Sequence, residues 1–170
     1  MKTFMKKHLN PVLKTHFNIK YFFLIASICL LSCKAQKPES STVGEQIDGL
    51  TLIEHQNFTN IDSFETRVIR DTKTLGEFYK QINKTRKPGL PVPVVDCSKE
   101  MLILVCLGEQ HGEKTTVLSK LKETDQEMLI AIEVHNVSKE EMSIQPIYFP
   151  FYLYKMPLVD KTVVFQKIEE

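Results

Sequence analysis

The sequence predicts a mainly β protein, an antiparallel β-sandwich or rolled sheet of about six to eight strands carrying one packed α-helix. Three observations predict it. Short apolar or alternating segments recur between Ile47 and Ile168 with turn residues between them. Only the stretch around Leu75, Phe78, Tyr79 and Ile82 spaces its apolar residues as a helix does. Residues 101–107 (MLILVCL) are apolar without a break, which suits a strand covered on both faces.

In chain order, residues 50–53 (LTLI) and 64–70 (FETRVIR) read as strands; in the second, Phe64, Thr66 and Val68 share one face, with Glu65 and Arg67 opposite. Thr74-Leu75-Gly76-Glu77 has capping-box spacing and opens the helix. The helix stops near Lys84, before Pro88-Gly89 and the prolines at 91 and 93. After the apolar strand, residues 108–114 form a polar turn. Residues 115–122 and 128–135 make a hairpin around 123–126, with Met128, Ile130, Ile132 and Val134 on one face and Glu133 and His135 on the other. The last two strands are 148–156 and 161–168. In the former, Phe149, Phe151 and Leu153 form a core face, and Tyr148, Tyr152 and Tyr154 form a half-exposed tyrosine face, the candidate protein-binding surface.

The N-terminus reads as an export signal. Lys2, Lys6, Lys7, Lys14 and Lys20 precede an apolar stretch at 21–31, which ends in Ser32-Cys33. Spanning a bilayer takes roughly 20 apolar residues, so eleven make a cleaved segment and not a permanent span. Leu30-Leu31-Ser32-Cys33 resembles a lipobox, which makes Cys33 the expected lipidation site and a membrane the expected partner through its acyl chains; an ordinary secretory signal is the alternative. The expected organisation is a removed signal peptide at 1–32, a flexible tether at 33–46 and a single β-rich domain at 47–170. The tether expectation rests on the polar run KAQKPESSTVGEQ. Lys34 after the cysteine, where an aspartate would retain a lipoprotein at the inner membrane, points to the outer membrane of a Gram-negative cell envelope.

Removal of residues 1–32 takes five basic and no acidic side chains, so the whole-chain charge of +1 becomes −4. The remaining Lys and Arg are scattered apart from Lys84, Arg86 and Lys87, so no nucleic-acid partner is expected. Export permits a Cys97–Cys106 disulfide. Nine extended residues span roughly 30 Å against about 7 Å between bridged Cα atoms, so two buried thiols are the expectation unless Ser98-Lys99 turn sharply and Cys106 leaves its strand.

Catalytic patterns are absent. The sequence holds no nucleophile elbow, zinc-binding His-Glu-x-x-His, phosphate loop or dinucleotide fingerprint. His55, His111 and His135 fall in three separate segments, so neither a metal nor another cofactor is expected, and no catalytic residue is assigned. Cys106 sits in the most apolar strand, where burial makes a thiol inert.

Two segments carry a family resemblance. Val95-Asp96-Cys97-Ser98-Lys99-Glu100-Met101, running into the apolar strand and Gly108, is followed by Pro150-Phe151-Tyr152-Leu153-Tyr154-Lys155-Met156-Pro157. Together they resemble the C-terminal domain of the PrcB family of protease complex subunits, over about residues 94–168. The resemblance implies an exported or lipid-anchored, non-catalytic partner that binds and stabilises a cell-envelope protease. The chain departs from the family pattern after Gly108: where members often carry a turn like Thr-Gly-Gly-Tyr, His111, Gly112, Glu113 and Lys114 stand here as the candidate loop contact. The competing expectations are a protease inhibitor that inserts the 108–115 loop into an active-site cleft, and an enzyme assembled from scattered polar residues.

Overall fold

The computed structural model describes residues 42–137 and 146–168; the signal segment 1–32, Cys33 and residues 34–41 of the expected tether lie outside the described residues. The protein is mainly β. Its elements are β1 (Thr51–Gln56), β2 (Glu65–Ile69), α1 (Thr72–Ile82), a 3-10 turn (Asn83–Thr85), β3 (Glu100–Cys106), β4 (Gln110–His111), β5 (Lys114–Glu123), β6 (Glu127–Asn136), β7 (Ile147–Tyr148), β8 (Phe151–Pro157) and β9 (Thr162–Ile168). They form a four-stranded sheet in the order β1-β8-β3-β2, a three-stranded sheet β5-β6-β9 and a two-stranded ladder β4-β7. Every pairing is antiparallel except that of β6 with β9. That exception follows from β9 crossing out of the sheet of β8 and starting beside the start of β6, where Thr162 N donates to Gln126 O (2.9 Å).

The uninterrupted apolar run in β3 is explained by burial on both sides. Met101, Ile103 and Val105, with Tyr152, Tyr154 and Met156 of β8, pack against Leu118, Met128, Ile130 and Ile132 of the three-stranded sheet. Leu102, Leu104 and Cys106, with Phe151 and Leu153, pack against Leu75, Phe78, Tyr79 and Ile82 of α1. The layers are therefore helix, four-stranded sheet, three-stranded sheet.

The helix presents the predicted stripe but is capped differently. Asp71, in extended conformation, is the N-cap: its Oδ1 accepts from Thr74 N (2.8 Å) and its Oδ2 from Thr74 Oγ1 (2.8 Å). Thr74 thus sits inside the first turn, with both its N–H and its hydroxyl donating to the cap carboxylate. These bonds hold the Asp71 carboxyl below its ordinary range. In β2 the fully buried residue is Ile69, on the helix side, whereas Phe64 lies outside the strand, half-exposed beneath the Lys167 ammonium (5.2 Å from the ring centre).

The domain starts before Ile47, which corrects the tether boundary at residues 43–46. Glu45 and Lys120 exchange both backbone hydrogen bonds (2.9 and 2.7 Å), and Val43 N donates to Glu133 Oε1 (3.0 Å). This segment covers the otherwise open edge of β5, as edge strands require. It also closes over Glu133, which faces away from the apolar side of β6 as expected yet is buried there, accepting from Ser119 Oγ (3.3 Å). Gly44 is required at the crossing, since a Cβ would stand 2.6 Å from Lys120 O.

Glu123 ties the hairpin to β9. It receives Lys120 Nζ (2.8 Å) and Lys161 Nζ (2.7 Å), and these hydrogen bonds lower its pKa from 4.5 to about 2. Because the folded value lies below the ordinary one, the stabilisation is complete above about 4.5 and is lost as pH falls toward about 2. Glu123→Gln should therefore melt below the wild type at neutral pH, and the gap should close when both are melted near pH 2.

Cys97 and Cys106 are free. A sharp turn does form at Asp96, whose Oδ1 accepts from Ser98 N (3.1 Å) and Ser98 Oγ (2.6 Å). Cys106 nevertheless stays at the far end of β3, fully buried, while Cys97 is half-buried.

Candidate functional site

The segments 148–156 and 108–115 acquire different surroundings from those read in the sequence. Pro150 has no N–H to continue a ladder, so the expected strand 148–156 breaks into β7 and β8. At the break, Phe149 N donates to Asn57 O (2.9 Å) and Pro150 O accepts from Leu107 N (3.0 Å). Tyr152 and Tyr154 do share a face of β8, but that face lies under the three-stranded sheet, and the two are 2 % and 6 % exposed. Tyr154 Oη donates to Thr116 O (2.8 Å) and lies 2.7 Å from Thr116 Oγ1; Tyr152 Oη donates to Lys114 O. Burial raises the pKa of both phenols, which keeps them protonated donors. The tyrosine-face reading is thus corrected for these two: alternation along one strand cannot show that a second sheet closes over it.

Tyr148 goes elsewhere. β7 pairs with β4, matching Gln110 to Tyr148 and His111 to Ile147. The candidate loop and the outlying tyrosine, forty residues apart in sequence, therefore meet in one small ladder at one end of the sandwich. Gly108 (φ 71°) starts the loop with its backbone so close to residues 62–64 that a Cβ would stand 2.8 Å from Asp62 O. Gly112 N donates to Pro146 O (2.9 Å), and Val137 N to Glu113 O (3.1 Å). Asn57 Nδ2 reaches Glu113 Oε1 (3.5 Å), and Lys114 Nζ donates to Asn136 Oδ1. With Tyr152 holding the Lys114 carbonyl from below, the loop is fixed at several points along its length.

On this platform sits an apolar cluster that the sequence did not flag. Phe58 is 57 % exposed and stacks at a tilt on Tyr148, with ring centres 5.4 Å apart. Ile147 is also about half-exposed but, as the residue before Tyr148 on β7, faces the other side of the ladder with His111, and Val137 is half-exposed beside Glu113. The loop beside them carries Glu109, His111, Glu113 and Lys114, His111 Nε2 lying 3.7 Å from Glu109 Oε1 and Glu113 reaching Asn57, next to Phe58. An apolar centre with a polar rim is the anatomy of a protein-binding surface. The only sequence signal for Phe58 was a lone aromatic in the polar run His55-Gln56-Asn57-Phe58-Thr59-Asn60.

The three histidines do not meet. His55 stacks on Tyr152 (4.4 Å, 11° between planes), His111 is on β4, and His135 Nε2 lies 3.8 Å from Glu133 Oε2. Among the described residues no group of three or more His, Cys, Asp or Glu is placed to hold a metal ion. The Cys106 thiol is pushed up to about 12, first by burial and then by the charge of Glu65, so it carries no thiolate at neutral pH. No family model, curated protein or solved structure matches this chain.

Proposed function

We propose that this chain is a lipid-anchored cell-envelope protein of the PrcB-like kind, a non-catalytic subunit that binds and stabilises an envelope protease. The observation that carries the reading is the convergence of the 108–114 loop with Tyr148 and the exposed Phe58 ring stacked on it. The basic, apolar and Ser32-Cys33 succession supports anchoring at Cys33, since multiple acyl chains give stable attachment where one does not. The Lys34 position supports an outer-membrane address. Docking by a flat platform fits the loop better than insertion into a cleft, because β4 is laddered to β7 instead of projecting.

Co-purification from membrane extracts tests this. A Phe58→Ala/Tyr148→Ala variant should keep the wild-type melting curve and lose its protease partner, at a cost of about 2 kcal/mol or more if the rings are hot spots. Changing His111, Glu113 and Lys114 to Ala should weaken the complex less. An inhibitor would reverse that order. Cys33→Ala should leave the protein unprocessed or released from membranes; wild-type protein that begins elsewhere than residue 33 and fractionates as soluble would end the anchoring claim.

A further inference from the structure

The outer side of the helical layer is basic along α1 and apolar beside it. Leu75, Phe78, Tyr79 and Ile82 turn to the sheet, so Lys73, Glu77 and Lys80 on the opposite side of the helix turn to solvent, and Lys84 of the 3-10 turn continues the row. Glu77 is the only acid in residues 72–84. Residues 86–96 run beside α1 and help close the same core. Asn83 clasps Leu90 with its whole amide, Nδ2 donating to Leu90 O (2.9 Å) and Oδ1 accepting from Leu90 N (2.8 Å), while Leu90 and Val95 pack against the cluster under α1. Between those two anchors the side chains turn outward: Pro91 is exposed, and Val92 and Val94 are 46 % and 103 % exposed.

Single exposed apolar side chains are ordinary on a protein surface, but these two are held out together. Pro91 and Pro93 fix their own φ and keep Leu90 and Val92 extended, and Val92 and Val94 share one side of the segment because Pro93 and Val95, between and after them, are half-buried. Among the described residues the backbone of 91–94 makes no hydrogen bond, so nothing in the fold uses this stretch beyond its two anchored ends. Exposed Lys84 and Lys87 flank its start. At its far end the carboxylate of Asp96 faces Lys99 Nζ (3.4 Å).

We propose that this face rests on the anionic lipid surface to which the chain is anchored, with Val92 and Val94 among the headgroups and Lys80, Lys84 and Lys87 on the lipid phosphates. The inference rests on the anchoring reading and not on the loop platform. Charge complementarity argues for this occupant, since lysines beside an exposed apolar edge match phosphates lying over acyl chains. Chain length argues for it as well. Nine residues separate Cys33 from Val43, so Val43 stays within roughly 35 Å of the acylated cysteine. From the pairing of Glu45 with Lys120 at the edge of β5, residues 46–50 lead directly to β1, and β1 is the strand that segment 86–96 adjoins, Arg86 Nη2 donating to Gln56 Oε1 (3.3 Å). The tether and the basic-apolar face therefore meet the domain on the same side. At such a range a contact too weak to recruit a free protein is made repeatedly. Each lysine held at an anionic leaflet favours that contact about fivefold.

The chain has no tryptophan, so Val94→Trp supplies a single fluorescent reporter. The mature protein, purified from the envelope in detergent, is reconstituted into vesicles of phosphatidylethanolamine and phosphatidylglycerol whose acyl chains carry bromine, and flotation reads attachment separately. The Val94→Trp protein should lose about half of its emission or more to the bromine. Val164→Trp should lose little, because Val163 and Phe165 pack into the core and Val164 faces away from it on the three-stranded sheet. Adding Lys80→Gln, Lys84→Gln and Lys87→Gln should restore the Val94→Trp emission with an unchanged melting curve, as should replacing phosphatidylglycerol with phosphatidylcholine. Flotation without quenching, equal quenching of both reporters, quenching indifferent to the lysines, or an emission that shifts to the blue only when envelope proteins are added would each overturn the proposal. Protein that never floats would end the anchoring reading and this inference with it.

Discussion

A Tyr152→Ala/Tyr154→Ala double variant is expected not to fold. Both rings lie in the core between the sheets, and truncating a buried aromatic to Ala costs about 3 to 5 kcal/mol. The two sites share neighbours, so the costs do not add strictly. Even so, the loss is comparable with the whole stability of a small domain, about 5 to 15 kcal/mol. The variant would also remove the donors to Lys114 O and Thr116 O. Tyr154→Phe separates the two contributions: it keeps the ring, orphans the buried Thr116 groups, and should cost about 1 to 3 kcal/mol in urea melts. A double variant that melts like the wild type would mean that these rings lie on the surface.

Phe78→Ala should cost about 3 to 5 kcal/mol. Phe78 is fully buried where α1 crosses the sheet, edge-on to Phe151 (5.2 Å, 78°) and to Tyr79 (5.5 Å, 90°). Aromatic pairs in this geometry contribute beyond their buried area, so truncation loses packing and ring contacts together. Asp71→Ala should destabilise far less, because it frays one turn and leaves the stripe of Leu75, Phe78, Tyr79 and Ile82 in place. Glu77→Ala should do little, since Glu77 is exposed and the cap belongs to Asp71. Urea melts of the three variants give the ranking; a Phe78→Ala midpoint no lower than that of Asp71→Ala would contradict the packing described.

What was legible in the sequence was whatever a single segment decides for itself. The apolar run of β3 announced burial on both faces, and the spacing of Leu75, Phe78, Tyr79 and Ile82 announced the helix and its inward side. The hairpin of β5 and β6 followed from alternation, because Met128, Ile130 and Ile132 need one core. What failed depended on other parts of the chain. Whether the tyrosine side of β8 is open or covered depends on where β5 and β6 dock, and no pattern within 148–156 carries that information. The polar run ending at Gln46 has a tether's composition, yet residues 43–46 are held by backbone pairing to Lys120 and by the Glu133 carboxylate, neither of which is local. The loop platform was half legible: residues 111–114 and Tyr148 were each singled out, but their meeting through β4 and β7 and the addition of Phe58 are long-range facts.

If a partner docks on the loop platform, as proposed, site-specific photo-crosslinking in intact cells will capture it there. Benzoylphenylalanine placed at Phe58 or at Tyr148 should trap one discrete, envelope-derived adduct on irradiation. The same group at Asp125, exposed in the turn between β5 and β6 at the end of that hairpin opposite Lys114, should trap none. Adducts of equal yield at all three positions, or none at Phe58 and Tyr148, would mean that no partner docks on this platform.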